Sequence, residues 1–118
     1  MKKFILFLVL ICGFHFLNSQ TISADSIAKY DGKVVTVCEK VVDTHVSSGD
    51  SKVIYLNFGH PYPAQSFTGV IFQGDVQNFS YDPAEFLKGK TMCVTGTVKI
   101  YKGRPEIIIN KPDQLKIQ

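Results

Sequence analysis

The chain has 118 residues, a formal charge of +3 and 45% hydrophobic residues, enough for one domain with one core and too little for two. Lys2 and Lys3 supply two of the three net charges, so the rest of the chain carries only +1. Bulk electrostatics therefore make no case for nucleic acid, and any such case has to rest on a local patch.

The N-terminus runs Met1-Lys2-Lys3, then residues 4–17 almost without a polar side chain, then Asn18-Ser19-Gln20. A basic start, an apolar run and a small-residue exit form the pattern of a secretory signal peptide. The run is short of the ~20 residues a membrane-spanning helix needs. Residues 1–20 are thus expected to be a signal peptide, cut between Asn18 and Thr21. Residues 21–118 are then one periplasmic or secreted domain with no stable membrane span. The alternative is an N-terminal anchor that stays attached. Lipidation at Cys12 is disfavoured, because Ile11 stands where that signal wants a small residue. Removal of Cys12 leaves Cys38 and Cys93, an even count that permits one disulfide in an exported protein. Two buried thiols are the competing reading.

Along the mature chain, Thr21 to Tyr30 reads as a short helix capped by Ser23, with Asp25 in its first turn and Ile27 and Tyr30 on its apolar face. Lys33 to Val46 is rich in β-branched residues and reads as a strand. After the turn at Ser47-Ser48-Gly49-Asp50, Lys52 to Phe58 alternates, with Ile54, Leu56 and Phe58 on one face and Tyr55 and Asn57 on the other. Gly59 to Gln65 contains Pro61 and Pro63 and reads as a rigid exposed loop. Ser66 to Phe72 is a third strand, broken by Gln73-Gly74-Asp75.

Asp82 to Gly89 carries a full set of helix signals: Asp82 as N-cap, Pro83 at the first position, Lys88 in the last turn and Gly89 past the end. Phe86 and Leu87 are expected to dock on a sheet. Lys90 to Tyr101 is a fourth strand, with Met92, Val94, Val98 and Ile100 sharing a face. Lys102-Gly103-Arg104-Pro105 reads as a turn, and Glu106 to Asn110 as a fifth strand whose triple isoleucine suggests burial on both faces. Leu115 and Ile117 can tuck a short tail onto the body.

Three strands, a helix, then two strands, with a short helix in front, resembles the OB-fold, a five-stranded Greek-key barrel. The wording resembles small OB-fold proteins in three places. Residues 27–37 look like the entry to their first strand, and Tyr55-Leu56-Asn57-Phe58-Gly59 like their second. Residues 94–98 with 101–108 look like their last hairpin. Glu39 departs from the pattern where Gly is expected by analogy with Gly96, which implies a shallower or differently bulged bend in the first strand. The resemblance implies a mostly β fold. It also implies a ligand face on strands two and three, flanked by the loops joining strands one to two and four to five. Antiparallel pairing of strands one and four, also implied, puts Cys38 and Cys93 on the same outward face of neighbouring strands, within disulfide reach if the register matches. Register itself is not legible.

Two segments carry the side chains such a face needs. Lys99, Tyr101, Lys102 and Arg104 offer charge for phosphate and a ring for base stacking. Tyr55, Asn57, His60 and Tyr62, with Gln65 and Phe67 nearby, offer aromatics among amides and an imidazole. Each segment also has a plainer reading, a solvated hairpin tip in one case and core aromatics with stiffening prolines in the other. His45 and His60 lie on different elements without neighbouring ligands, so no metal site is expected. No nucleophile stands beside a base, and Arg104 is the only arginine, unlike the clustered pattern of staphylococcal-type nucleases on this barrel. The chain is therefore expected to be a non-enzymatic binding module without a cofactor, for single-stranded nucleic acid or a glycan. The alternative is a structural or protein-interaction domain of the cell envelope, with an envelope protein as partner. A degenerate nuclease-like accessory domain ranks third.

Overall fold

The structure, a computed structural model, describes residues 19–118. The expected signal peptide therefore lies outside the described residues, apart from Ser19 and Gln20. Seven strands follow in order: β1 (Gln20–Ile22), β2 (Val34–Val46), β3 (Ile54–Phe58), β4 (Phe67–Ile71), β5 (Thr91–Tyr101), β6 (Arg104–Ile108) and β7 (Leu115–Ile117). Strands β2 to β6 close a five-stranded barrel. β3 pairs with β2 and β4, β6 joins β4 in parallel and β5 antiparallel, and β5 returns to β2. Closure pairs the two outer strands of the sheet with each other, and the sides left free at the start of β2 and of β5 are taken by β1 and β7.

The two long strands each serve two neighbours. Val34–Lys40 of β2 pairs with β5, and Val41–Val46 pairs with β3. The change of partner happens at a β-bulge between Val41 and Asp43, with Val42 as the extra residue. A bulge bends its strand and tightens its twist, so it supplies the curvature that Glu39 in place of Gly leaves unmet. Gly96 does the equivalent work in β5. A Cβ there would sit 2.6 Å from Ile107 Cγ2 and 3.1 Å from Gln114 Nε2, so only glycine lets the strand pass so close to β6 and the C-terminal tail.

The core is the barrel interior. Val35, Val37, Val41, Leu56, Phe58, Phe67, Ile71, Met92, Val94, Val98, Ile107 and Ile109 are at most 1% exposed, as the alternating strand pattern requires. A helical turn at Pro83–Phe86 lies between β4 and β5 and plugs Leu87 into the barrel. Asp82 caps it through the Ala84 amide at 3.1 Å. The Lys33-to-Val46 and 90-to-101 strands and the helix start with its Asp82 cap agree with the sequence reading, but the helix ends at Phe86 with Leu87 as its C-cap, so Lys88 lies beyond the last turn expected to hold it.

Several boundaries differ, each for a local reason. The single helix expected over 21–30 is a strand, Gln20–Ile22, followed by a 3-10 helix at Ala24–Tyr30. Ser23 does cap it, accepting from Asp25 N at 3.2 Å. The preceding residues are extended because they pair in parallel with Val35–Val37. The four-residue turn expected at 102–105 is a two-residue turn. Lys102 (φ 50°) and Gly103 (φ 79°) make a tight hairpin of the primed type, and Arg104 and Pro105 already belong to β6. Pro105 is tolerated because β4 pairs with β6 only from Glu106 onward. Residues 73–76 form a short helical turn where only a break was read. Phe86 does not dock. It is 43% exposed, against Tyr81 at 4.6 Å and under the Lys90 ammonium at 4.5 Å. Ile108 is half-buried, so the isoleucine run buries Ile107 and Ile109 and only part of the residue between them. Ile100 is half-buried as well, beyond the end of the filled barrel.

Cys38 and Cys93 are directly opposed in the β2–β5 ladder and joined in a disulfide. Flanking Val37 and Val94 point into the core, which leaves the bridge on the outer face of the ribbon.

Candidate functional site

The outer face of the barrel carries a groove of about 850 Å³, within the range of ligand-binding clefts. Its floor is a row of side chains running across the sheet. The ladder places Asp43 beside Asn57, Asn57 beside Thr68, Thr68 beside Glu106, and Glu106 beside Lys99. The bulge at Val42 sets this row. A regular ladder from Val41↔Phe58 would put Val42 against Asn57, whereas the extra residue brings Asp43 there instead.

The floor is hydrogen-bonded in one direction. Gln65 Nε2 donates to Thr68 Oγ1 at 2.9 Å, Thr68 donates to Asn57 Oδ1 at 3.4 Å, and Asn57 Nδ2 donates to Asp43 Oδ1 at 2.8 Å. An ionised carboxylate only accepts, so Asp43 fixes the direction of the chain and with it the orientation of both amides. Asn57 and Thr68 are 4% and 6% exposed. The last acceptor, Gln65 Oε1, is buried without a partner among the described residues. Glu106 lines the same groove, and burial pushes its carboxyl above the ordinary carboxylate range while the Lys99 ammonium partly offsets the shift.

The walls are aromatic and basic. Tyr62, 64% exposed, stands on the β3–β4 loop, and Tyr101, 49% exposed, on the β5–β6 hairpin. The Arg104 guanidinium lies 5.2 Å from the centre of the Tyr62 ring and donates to Pro63 O at 3.3 Å, tying loop to hairpin. Lys102 Nζ lies 5.3 Å from the Tyr101 ring centre. Tyr55 stacks on His45 with centroids 6.0 Å apart.

Of the residues expected to bind, Tyr55, Asn57, Tyr62, Tyr101, Lys102 and Arg104 share this groove. His60 is exposed at the head of the loop and outside the lining, and Lys99 is exposed at the end of the floor row. Phe67 is core, stacked on Phe58. Gln65, named with the second segment, also lines the groove, whereas sequence reasoning missed Asp43, Thr44, Thr68 and Glu106 and did not place His45 at the site. Among the described residues, no group of three or more His, Cys, Asp or Glu side chains is placed to hold a metal ion.

No family model and no curated protein matches the sequence. Solved structures do match in shape. The crystal structure of yeast Stn1 and Ten1 superposes with a TM-score of 0.57 at 12% identity, covering 86% of this chain and 63% of that one. A candidate aspartyl-tRNA synthetase from Leishmania major Friedlin superposes with a TM-score of 0.56 at 14% identity, covering 85% of this chain and 21% of that one. A candidate nucleic acid-binding lipoprotein from Klebsiella pneumoniae subsp. pneumoniae MGH 78578 fits more loosely, with a TM-score of 0.46 at 18% identity over 85% of this chain and 92% of that one. The chain thus spans less than two thirds of the first two, and at these identities the likeness is one of fold. The five-strand barrel, its closure through β4 and β6 and the helical turn between β4 and β5 agree with it: the chain has the OB-fold.

Proposed function

We propose that the protein is a non-enzymatic binding module whose groove holds single-stranded nucleic acid. The observation that carries this reading is the pairing of a cation with an exposed ring at two places on the rim, Arg104 with Tyr62 and Lys102 with Tyr101. Single strands are held by charge that tracks phosphate and rings that stack on bases, and both are concentrated here in a chain whose overall charge is small. The loop-to-hairpin hydrogen bond from Arg104 to Pro63 also lowers the ordering cost of binding. The floor polar groups bond to one another in a fixed chain, so the surface under a ligand is ordered before it binds.

A salt series with a panel of oligonucleotides and glycans tests this. Affinity for single strands is expected to fall with salt, and Lys102→Ala and Arg104→Ala each to reduce the log–log slope by roughly 0.7. Tyr62→Ala or Tyr101→Ala is expected to cost ~1–3 kcal/mol of binding, largely independent of salt. Salt-independent glycan binding with no affinity for any single strand would sink the proposal.

Export belongs to the same proposal, supported by the basic start and apolar run over residues 2–17 and by the disulfide. Among the described residues no helix is long and apolar enough to cross a membrane. Strand β1 favours a cut that leaves it intact. Gln20 is its first paired residue, opposite Val35, so a mature chain beginning at Ser19 or Gln20 keeps the whole strand. The intact mass of the exported protein reads this directly, and a terminus at Thr21 or later contradicts it.

A further inference from the structure

We propose that the groove selects among single-stranded bases by their exocyclic amino groups, favouring cytosine over uracil or thymine, with the Asp43 and Glu106 carboxylates as the selecting acceptors. The inference rests on the nucleic-acid reading above and concerns what the floor does once a strand is held.

The floor hydrogen bonds all run toward Asp43. Asp43 accepts from Asn57, Asn57 from Thr68, and Thr68 from Gln65. Each of these links uses a donor hydrogen within the protein. Each amide keeps a second N–H, but Asn57 is buried, and the carboxylates that bound this row have only acceptors to offer. The Asp43 carboxylate has lone pairs beyond the one that Asn57 takes. The Glu106 carboxylate, between Thr68 and Lys99 in the row, makes no hydrogen bond or ion pair among the described residues. Two acceptor-only groups therefore flank the buried amide and hydroxyl of the floor.

A carboxylate in a groove that holds a polyanion is a cost, since it repels the phosphates that the rim cations attract. The cost is smallest where the carboxylates meet base edges and the cations meet the backbone, and the geometry has that division. Lys102 and Arg104 stand on the hairpin at the rim, and Asp43 and Glu106 lie in the sheet beneath. Cytosine presents an amino group at the position where uracil and thymine present a carbonyl oxygen. A carboxylate accepts from the amine and faces the carbonyl as acceptor against acceptor. That is discrimination by rejection as much as by attraction. The pyrimidines stack comparably on Tyr62 and Tyr101, because every base has a π-face. The floor, not the walls, then carries the preference.

Fluorescence anisotropy at neutral pH and low salt, with oligo(dC) and oligo(dU) of equal length, tests this on the purified protein. The expected result is roughly tenfold tighter binding of oligo(dC), in line with the discrimination of a well-placed base contact. Asp43→Asn and Glu106→Gln keep the shapes and remove the charges. Each is expected to tighten oligo(dU) binding and bring the dC:dU ratio toward one. If the carboxylates act only through general repulsion, both affinities rise by the same factor and the ratio stays put, which overturns the inference. Equal binding of the two strands by the parent protein also overturns it while leaving the nucleic-acid reading intact. Binding of neither strand overturns both.

Discussion

Replacing Cys38 and Cys93 together by alanine is expected to lower the protein's stability by about 4 kcal/mol. The bridge spans a sequence separation of 55 residues, so it removes a large loop's worth of conformations from the unfolded chain and little from the folded one. Loss of about 4 kcal/mol is a large share of the ~5–15 kcal/mol available to a domain of this size. Two signatures identify the mechanism. The denaturant midpoint falls, and the slope of unfolding rises because the unbridged chain unfolds to a more expanded state. The bridge joins the N-terminal half of β2 to β5, whereas the groove draws on Asp43 from the C-terminal half of β2. Oligonucleotide affinity measured well below the unfolding midpoint should therefore be unchanged. Two titratable thiols in the unfolded, unreduced parent protein would falsify the bridge, and an unshifted midpoint in the double variant would show that it contributes nothing.

The barrel was legible in the sequence because its signals are local. The β-branched run at 34–46 and the alternation at 54–58 specify strands, and the Asp82-Pro83 pair specifies the start of the helix, without reference to the rest of the chain. What escaped was decided by partners. Gln20-Thr21-Ile22 has no periodicity of its own and is a strand only because β2 offers it an edge. Pro105 reads as a breaker but sits where β6 has no second neighbour to receive a hydrogen bond.

The same division runs through the candidate site. Tyr62, Tyr101, Lys102 and Arg104 could be singled out from residue type and from the loops that the OB-fold resemblance implies. Asp43, Thr68 and Glu106 could not, because their meaning lies in the cross-strand register. Asp43 looks like one more polar residue near a strand end. It becomes the terminus of a buried hydrogen-bond chain only because Val42 bulges and shifts the register by one. A one-residue shift moves a side chain to the other face of a sheet, and nothing in the local sequence announces this one. Glu39 in place of glycine marked that something in this strand would bend differently, without saying where.

The largest single-residue effect on stability is expected at Phe58, whose truncation to alanine should cost about 3–5 kcal/mol. Phe58 and Phe67 are fully buried, directly opposed in the β3–β4 ladder, and stacked with ring centroids 4.3 Å apart and planes 8° from parallel. Gly69 makes the room: a Cβ there would come within 3.2 Å of Phe58 Cε1 and 2.8 Å of Ile109 Cδ1. Closed barrels collapse poorly around a hole, because each strand is held by two neighbours, so the cavity term is added to the lost transfer free energy. Phe67→Ala should cost a similar amount. The double variant should lose less than the sum, since each ring's burial depends on the other and the pair contributes ~0.5–1.5 kcal/mol beyond area alone. Phe86, half exposed over the helical turn, is the control, and its truncation is expected to cost less than ~1 kcal/mol. Urea unfolding of the four variants and the parent gives the comparison. A Phe58→Ala loss as small as that of Phe86→Ala, or strict additivity of the two core variants, would mean that the stacked pair is not the centre of this barrel's core.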